Sequence, residues 1–245
     1  MVVFLLTVLA VTKNELARGL IANRVQFITG LTISMDRVSV DVLNSRLTIT
    51  NLRLHNPVSF RELYAAEIPR LSFAIDIPEL FNRRVHITAL SIDMLQLVIE
   101  RSTDEIINIY RIRDIRRWRR NDILRAGGKS FITDFKIDTL DLKIERVVFR
   151  DITKDQKSFI KTYPLSLTER YFDITETESL IQLIVFQAVT KTAVNTFLNL
   201  DIYNMKFGLS RLLDSAQNLL PGPLRKTTEI IEKPLKELPG MRNIP

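Results

Sequence analysis

Ile87-Thr88-Ala89-Leu90-Ser91-Ile92 decides how this chain is read, because the same phrase recurs as Ile49-Thr50-Asn51-Leu52-Arg53-Leu54 and Ile137-Asp138-Thr139-Leu140-Asp141-Leu142. Each copy runs into an alternating apolar segment. In each, the apolar side chains change phase once, between the isoleucine and the leucine three residues later. A strand has a side-chain period of 2, so such a slip marks a bulge or corner that turns it. Repeated corners predict a long, curved, mostly antiparallel sheet. The hollow side of such a sheet needs an apolar cover.

Outward from these copies the β texture extends from Leu31 to Ile174. Val38/Val40/Val42, Leu47/Ile49, Leu71/Phe73/Ile75/Ile77, Val85/Ile87, Leu95/Leu97/Ile99 and Leu140/Leu142/Ile144 alternate with polar residues, which predicts one apolar and one wet face. Asn56-Pro57, Ile68-Pro69, Ile77-Pro78 and Tyr163-Pro164 are expected at breaks or strand edges, since proline cannot donate to a ladder. Pro78 to Asn82 reads as a short helical turn. Arg101 to Gly128 reads as a polar, helical insertion.

After Ile174 the period changes. Leu180, Ile181, Ile184, Val185, Ala188, Val189, Phe197 and Leu198 give helical spacing over Glu176–Leu200. Its polar residues, including Gln182, Gln187 and Lys191, favour a helix covering the sheet over one crossing a membrane. Leu209, Leu212, Leu213, Ala216, Leu219 and Leu220 predict a second amphipathic helix, stopped at Pro221. Leu224–Leu238 predicts a third, interrupted at Pro234.

Composition narrows the function classes. The chain has 245 residues, 46% of them apolar, enough to bury a core. Its 7 glycines fall below the roughly 17 of an average chain, which argues against phosphate-cradling loops. With no cysteine, disulfides, thiol catalysis and thiolate metal sites are excluded. A net charge of +7 and a pI near 9.7 favour anionic partners: phospholipid headgroups, nucleic acid or acidic proteins. Met1 to Val11 is strongly apolar but spans 11 residues, about half of what a bilayer crossing needs. No Lys or Arg precedes it and no cleavage site is clear, so it makes a poor signal peptide. The reading is an anchoring helix over 1–28, against a terminal helix packed on the fold or on a partner.

No motif carries catalysis. Gly127-Gly128-Lys129-Ser130 ends like a phosphate loop, but the glycine required five positions earlier would fall at Ile123. His55 and His86, the two histidines, lack metal spacing and read as surface or hydrogen-bonded strand residues. Asp76, Glu79 and Asp93 show no pairing suited to hydrolysis. The expectation is a non-enzyme without metal or cofactor.

The strongest charge signal is Arg111, Arg113, Arg116, Arg117, Arg119, Arg120 and Arg125 around Trp118. As a helix, Arg113, Arg116, Arg117 and Arg120 share a face. This cluster suits an anionic headgroup, an acidic partner subunit or, less well for want of interleaved aromatics, nucleic acid. Leu71, Phe73, Ile75, Val85, Ile87, Leu95 and Leu97 would form the apolar wall of the sheet. That wall is either ordinary core beneath Glu176–Leu200 or a groove admitting acyl chains.

Several stretches resemble the amino-terminal part of AsmA-like envelope proteins: Thr29-Gly30-Leu31-Thr32-Ile33, the Asn56-Pro57 turn with Phe60, Leu80-Phe81, Val85-His86-Ile87 and Asn108. The resemblance runs from about Thr29 to Asn108, and Phe135–Asp151 and Glu176–Leu200 look like parts of short relatives. It implies a bridge-like lipid carrier of the bacterial inner membrane, its sheet facing the periplasm, with no catalytic residues. The chain is far shorter than large members, so it would not itself span an envelope.

The expectation is an α+β protein. An anchoring helix over 1–28 precedes a taco-like antiparallel sheet over 29–174, with a basic insertion at 101–128. Amphipathic helices follow over 175–245. Its partners would be membrane phospholipid, and further subunits of a membrane complex or copies of itself. Two rivals are a scaffold subunit whose sheet is filled by its own helices, and a nucleic-acid binder using the arginines.

Overall fold

In the computed structural model, the described residues are 14, 15, 17–19, 21–23, 31–82, 84–109, 134–152, 158–175, 177–196, 198, 209–214 and 216–218. They form one eight-stranded sheet in the order β1-β3-β4-β5-β6-β7-β8, with β2 also paired to β3. The strands are β1 (Ile33–Ser34), β2 (Arg37–Asp41), β3 (Arg46–His55), β4 (Tyr64–Ile75), β5 (Arg84–Arg101), β6 (Asp134–Ile152), β7 (Ser158–Ile174) and β8 (Gln217–Asn218). The helices are α1 (Ile77–Phe81), α2 (Thr177–Thr190) and α3 (Ser210–Asp214), with a 3-10 turn at Ala193–Thr196.

The sheet is mostly antiparallel, as expected, but mixed: of its seven described pairings, β5–β6 alone is parallel, which corrects the wholly antiparallel taco. β5 and β6 run parallel, from Arg84↔Asp134 to Arg101↔Asp151 at a constant offset of fifty residues. Two of the three phrases thus lie side by side, Ile87 against Ile137 and Ile92 against Leu142. A parallel pair needs a long crossover, and residues 102–133 supply the length. Arg101 and Asp151 close the far end of this pair with a side-chain ion pair.

The corners exist, and they form two lines across the sheet. In the first, the β3–β4 ladder skips Asn51 and Pro69, and the β6–β7 register shifts between Ile144 and Arg146. Asn51 and Ser166 have φ of 51° and 47°. In the second, the β4–β5 register shifts between Ala74 and Ile75, and the β5–β6 ladder skips Thr88–Ala89 and Asp138–Thr139. Ser45 and Asp173, with φ of 50° and 54°, end this line. Bulges bend a strand and sharpen its twist. Pro69 and Pro164 therefore stand inside strands, at these irregularities, rather than at the breaks or edges expected.

The trailing helices are shorter than their periodicity predicts. α2 ends at Thr190, where the Thr190 and Thr192 hydroxyls donate to the Phe186 and Ala188 carbonyls at 2.7 and 2.6 Å. The amphipathic pattern from Leu209 holds a helix only to Asp214. Gln217 and Asn218 instead pair with Arg170 and Glu169 of β7. Helical residues also occur between Asn14 and Ala22. Residues 1–13 and 224–238, where an anchor and a third helix were expected, lie outside the described residues. Among the described residues, no helix is long and apolar enough to cross a membrane.

Candidate functional site

Residues directly opposite in a ladder share a face, so the registers reveal continuous apolar rows. Leu47, Phe73, Leu90, Leu140 and Tyr171 form one; Ile49, Leu71, Ile92 and Leu142 form the next, closing on Glu169. Beyond the first corner line come Leu54, Ala66, Leu97, Val147 and Tyr163. Because each corner flips the phase, the same face stays apolar along all three segments.

Burial divides this face. On β6 and β7, Ile137, Leu140, Ile144, Val147, Tyr171 and Ile174 are fully buried, and their cluster includes Leu183, Phe186, Ala188 and Val189 of α2 with Leu209 and Leu212. At the other side, Met35, Val38 and Ile49 pack with Ala17, Ile21 and Ala22. Between the two covers, Leu52, Leu54, Ile68, Leu71, Phe73, Ile75 and Val85 are half-buried. Leu71 and Phe73 touch both clusters.

The expected wall is therefore only partly available. Leu71, Phe73, Ile75 and Val85 lie in the half-buried stripe. Ile87 and Leu97 share its face but are taken up by the core, at 6% and 7% exposure. Leu95 falls at a skipped position of the first corner line and joins neither cluster. Leu52, Leu54 and Ile68 were missed as wall residues. The phase slip inside the first phrase was the signal, since it returns Leu52 and Leu54 to the face of Ile49.

Among the described residues under the cover, Glu169, Tyr171 and Gln187 bond one another, while Gln187 Oε1 and the Tyr163 hydroxyl meet no hydrogen-bond partner. Gln187 of α2 donates to the Glu169 carboxylate at 3.2 Å and to the Tyr171 hydroxyl at 2.6 Å. That hydroxyl in turn donates to Glu169. Burial, and then the Glu169 charge, push the Tyr171 hydroxyl well above its ordinary range, so it remains a donor. A buried carboxylate without a partner would be far costlier. The triad fixes α2 on the sheet.

At the far end, the fully buried Glu100 accepts from the backbone N–H groups of Arg61 and Glu62 at 2.7 and 2.8 Å. Asn108, equally buried, accepts from Glu100 N–H and donates to the Val98 carbonyl and to Asn56. The asparagine of the family resemblance is thus a fastener between β5 and the Asn56–Leu63 turn.

On the opposite face, His86 meets Asp138 at 2.7 Å and Asp76 at 3.5 Å, and Lys136 meets Asp138 at 2.8 Å. The hydrogen bond from Lys136, with His86 adding to it, holds the Asp138 carboxyl below its ordinary range against the effect of burial. Glu79 lies 3.5 Å from Arg84, and His55 bonds Ser34 at 3.1 Å. His86–Asp138 ties β5 to β6 and His55–Ser34 ties β3 to β1, while Lys136–Asp138 lies within β6 and Glu79–Arg84 links α1 to β5. Among the described residues, no group of three or more His, Asp or Glu could hold a metal. Arg111, Arg113, Arg116, Arg117, Trp118, Arg119, Arg120 and Arg125 lie outside the described residues.

No family model matches the chain, and neither a curated protein nor a solved structure matches it.

Proposed function

We propose that this chain is a non-enzymatic, membrane-anchored envelope protein related to the AsmA-like carriers, whose sheet receives lipid acyl chains along the half-buried stripe. The observation that carries the reading is the unequal cover. The apolar rows continue across five strands, yet seven of the apolar side chains on β3, β4 and the start of β5, from Leu52 to Val85, stay half-buried while Ile49, Ala66 and Ile87 beside them are buried. Leaving such a stripe wet forgoes about 25 cal/mol per Å² of apolar surface. An acyl chain laid along it would recover that energy without any directional bond. The arginines of 111–125 would meet the anionic headgroup in this scheme.

A photo-crosslinking amino acid at Leu71 or Phe73 tests the proposal in native membranes. Lipid adducts at these two positions, absent from Thr88 on the opposite face, are expected. Cross-links to polypeptide alone would instead favour the scaffold reading, for which the sealed half of the sheet under α2 is the supporting observation.

A further inference from the structure

We propose that the end of the sheet carrying Leu43 and Phe81 docks on a phospholipid bilayer, its two apolar tips entering the boundary between headgroups and acyl chains. This rests on the membrane-anchored part of the proposed function and is independent of acyl-chain carriage.

Leu43 stands at the β2–β3 turn, 97% exposed beside the 59%-exposed Val42, and Phe81 at the end of α1 is 85% exposed. The two tips are neighbours in the fold, because the Ser45 carbonyl of the first turn accepts from the N–H of Ile75, which leads into α1, at 2.9 Å. The phenylalanine and leucine at the tips of these adjacent turns bury little of their surface among the described residues. Separate tips make a poor surface for a protein partner, which needs a continuous patch. A bilayer interface accepts apolar side chains one at a time.

The amino-terminal chain joins the fold at this same end. The Asn14 side chain accepts from the N–H of Val40 at 3.0 Å, two residues before the exposed Val42. From there the helical residues run away from the tip, with Ala17, Ile21 and Ala22 packing on Met35, Val38 and Ile49. Asn14, the first described residue, lies at the end carrying Val42 and Leu43 and follows the apolar Met1–Val11 by three residues in sequence, so an anchor formed by that segment would be tethered to this end. The opposite end also exposes an apolar residue, Val58 at 103%, and serves as the control.

Glu79 at this end is paired with Arg84, and the insertion proposed is that of apolar side chains. Docking is thus driven by apolar insertion, insensitive to salt and retained on zwitterionic lipid.

The absence of cysteine makes the test direct. Leu43→Cys, Phe81→Cys and Val58→Cys in the full chain each give one site for an environment-sensitive fluorophore, read with phosphatidylcholine vesicles while flotation reports binding separately. Bound protein should show a several-fold emission gain and a blue shift at 43 and 81, unchanged by high salt, and neither at 58. Bound vesicles with 43 and 81 silent, or with 58 responding equally, would overturn the docking while leaving the anchor intact. Protein that does not float would overturn both. A gain at 43 and 81 that grows with protein concentration in the absence of lipid would assign the tips to self-association, against the proposal.

Discussion

Replacing Asn51 by valine or by glycine tests whether the repeated phrase encodes a corner. Asn51 has a φ of 51° inside β3, where a β-branched side chain meets its own backbone. The left-handed conformation costs an ordinary residue roughly 1–2 kcal/mol, and asparagine tolerates it better than most. Its side chain also donates to Asp36 at 2.8 Å on the surface, which adds about 0.5–1 kcal/mol. Asn51→Val should therefore lose about 1.5–3 kcal/mol. Asn51→Gly loses the hydrogen bond and some unfolded-chain restriction but no longer strains the backbone, and should stay within about 1 kcal/mol of the parent. The neighbouring Thr50 pairs with Arg70, and there the order reverses. Valine should be tolerated within about 0.5 kcal/mol, while glycine costs about 1 kcal/mol. Equilibrium unfolding in urea reads all four, a loss of about 1.5–3 kcal/mol moving the midpoint by about 1 M. Valine and glycine behaving alike at Asn51, or the same order at both sites, would refute the corner.

Other expectations follow from the same contacts. Leu140→Ala, at a fully buried position of the central row, should cost about 2–5 kcal/mol by urea unfolding, whereas Leu43→Ala should stay within about 0.5 kcal/mol. Glu100→Ala strands the N–H groups of Arg61 and Glu62 and should lose at least about 1–3 kcal/mol, with faster amide exchange across the Asn56–Leu63 turn. The depressed Asp138 carboxyl means that acid protonates the unfolded chain first, so its stabilisation is present above about pH 4 and lost below it. Asp138→Asn should flatten that acid limb of a urea-midpoint series. The raised Tyr171 hydroxyl acts at the other extreme, since the unfolded tyrosine ionises first as pH passes about 10 and stability then falls. Tyr171→Phe should lack this alkaline contribution.

The corners were legible because a phase slip leaves a mark in the sequence: two polar or small residues where alternation allows one. Thr50-Asn51, Thr88-Ala89 and Asp138-Thr139 show it, whereas the alternation Leu95/Leu97/Ile99 hid the irregularity at Leu95. The polarity of the β5–β6 pair was not legible. Both directions place Ile87 and Ile137 on an apolar face, and the choice rests on how the chain returns between strands. The apolar wall was readable as a face but not as a site. Periodicity says that Ile87 and Val85 point the same way, whereas only the position of α2 and of residues 14–22 decides which of them stays half-buried. β8 escaped notice because Gln217 and Asn218 are held by an available β7 edge rather than by any strand pattern of their own. Glu169 and Gln187 escaped for a similar reason, since nothing local shows that two polar residues from a strand and a helix meet in the core.

Whether the half-buried stripe holds lipid is most directly read by native mass spectrometry of the full chain after gentle extraction, with the released lipids identified. The account predicts acyl lipid at about one or more molecules per chain, reduced when Leu71 and Phe73 are changed together to aspartate in a variant that retains its α2 packing by near-UV circular dichroism. Protein free of stoichiometric lipid, or lipid unchanged by that double substitution, would contradict it.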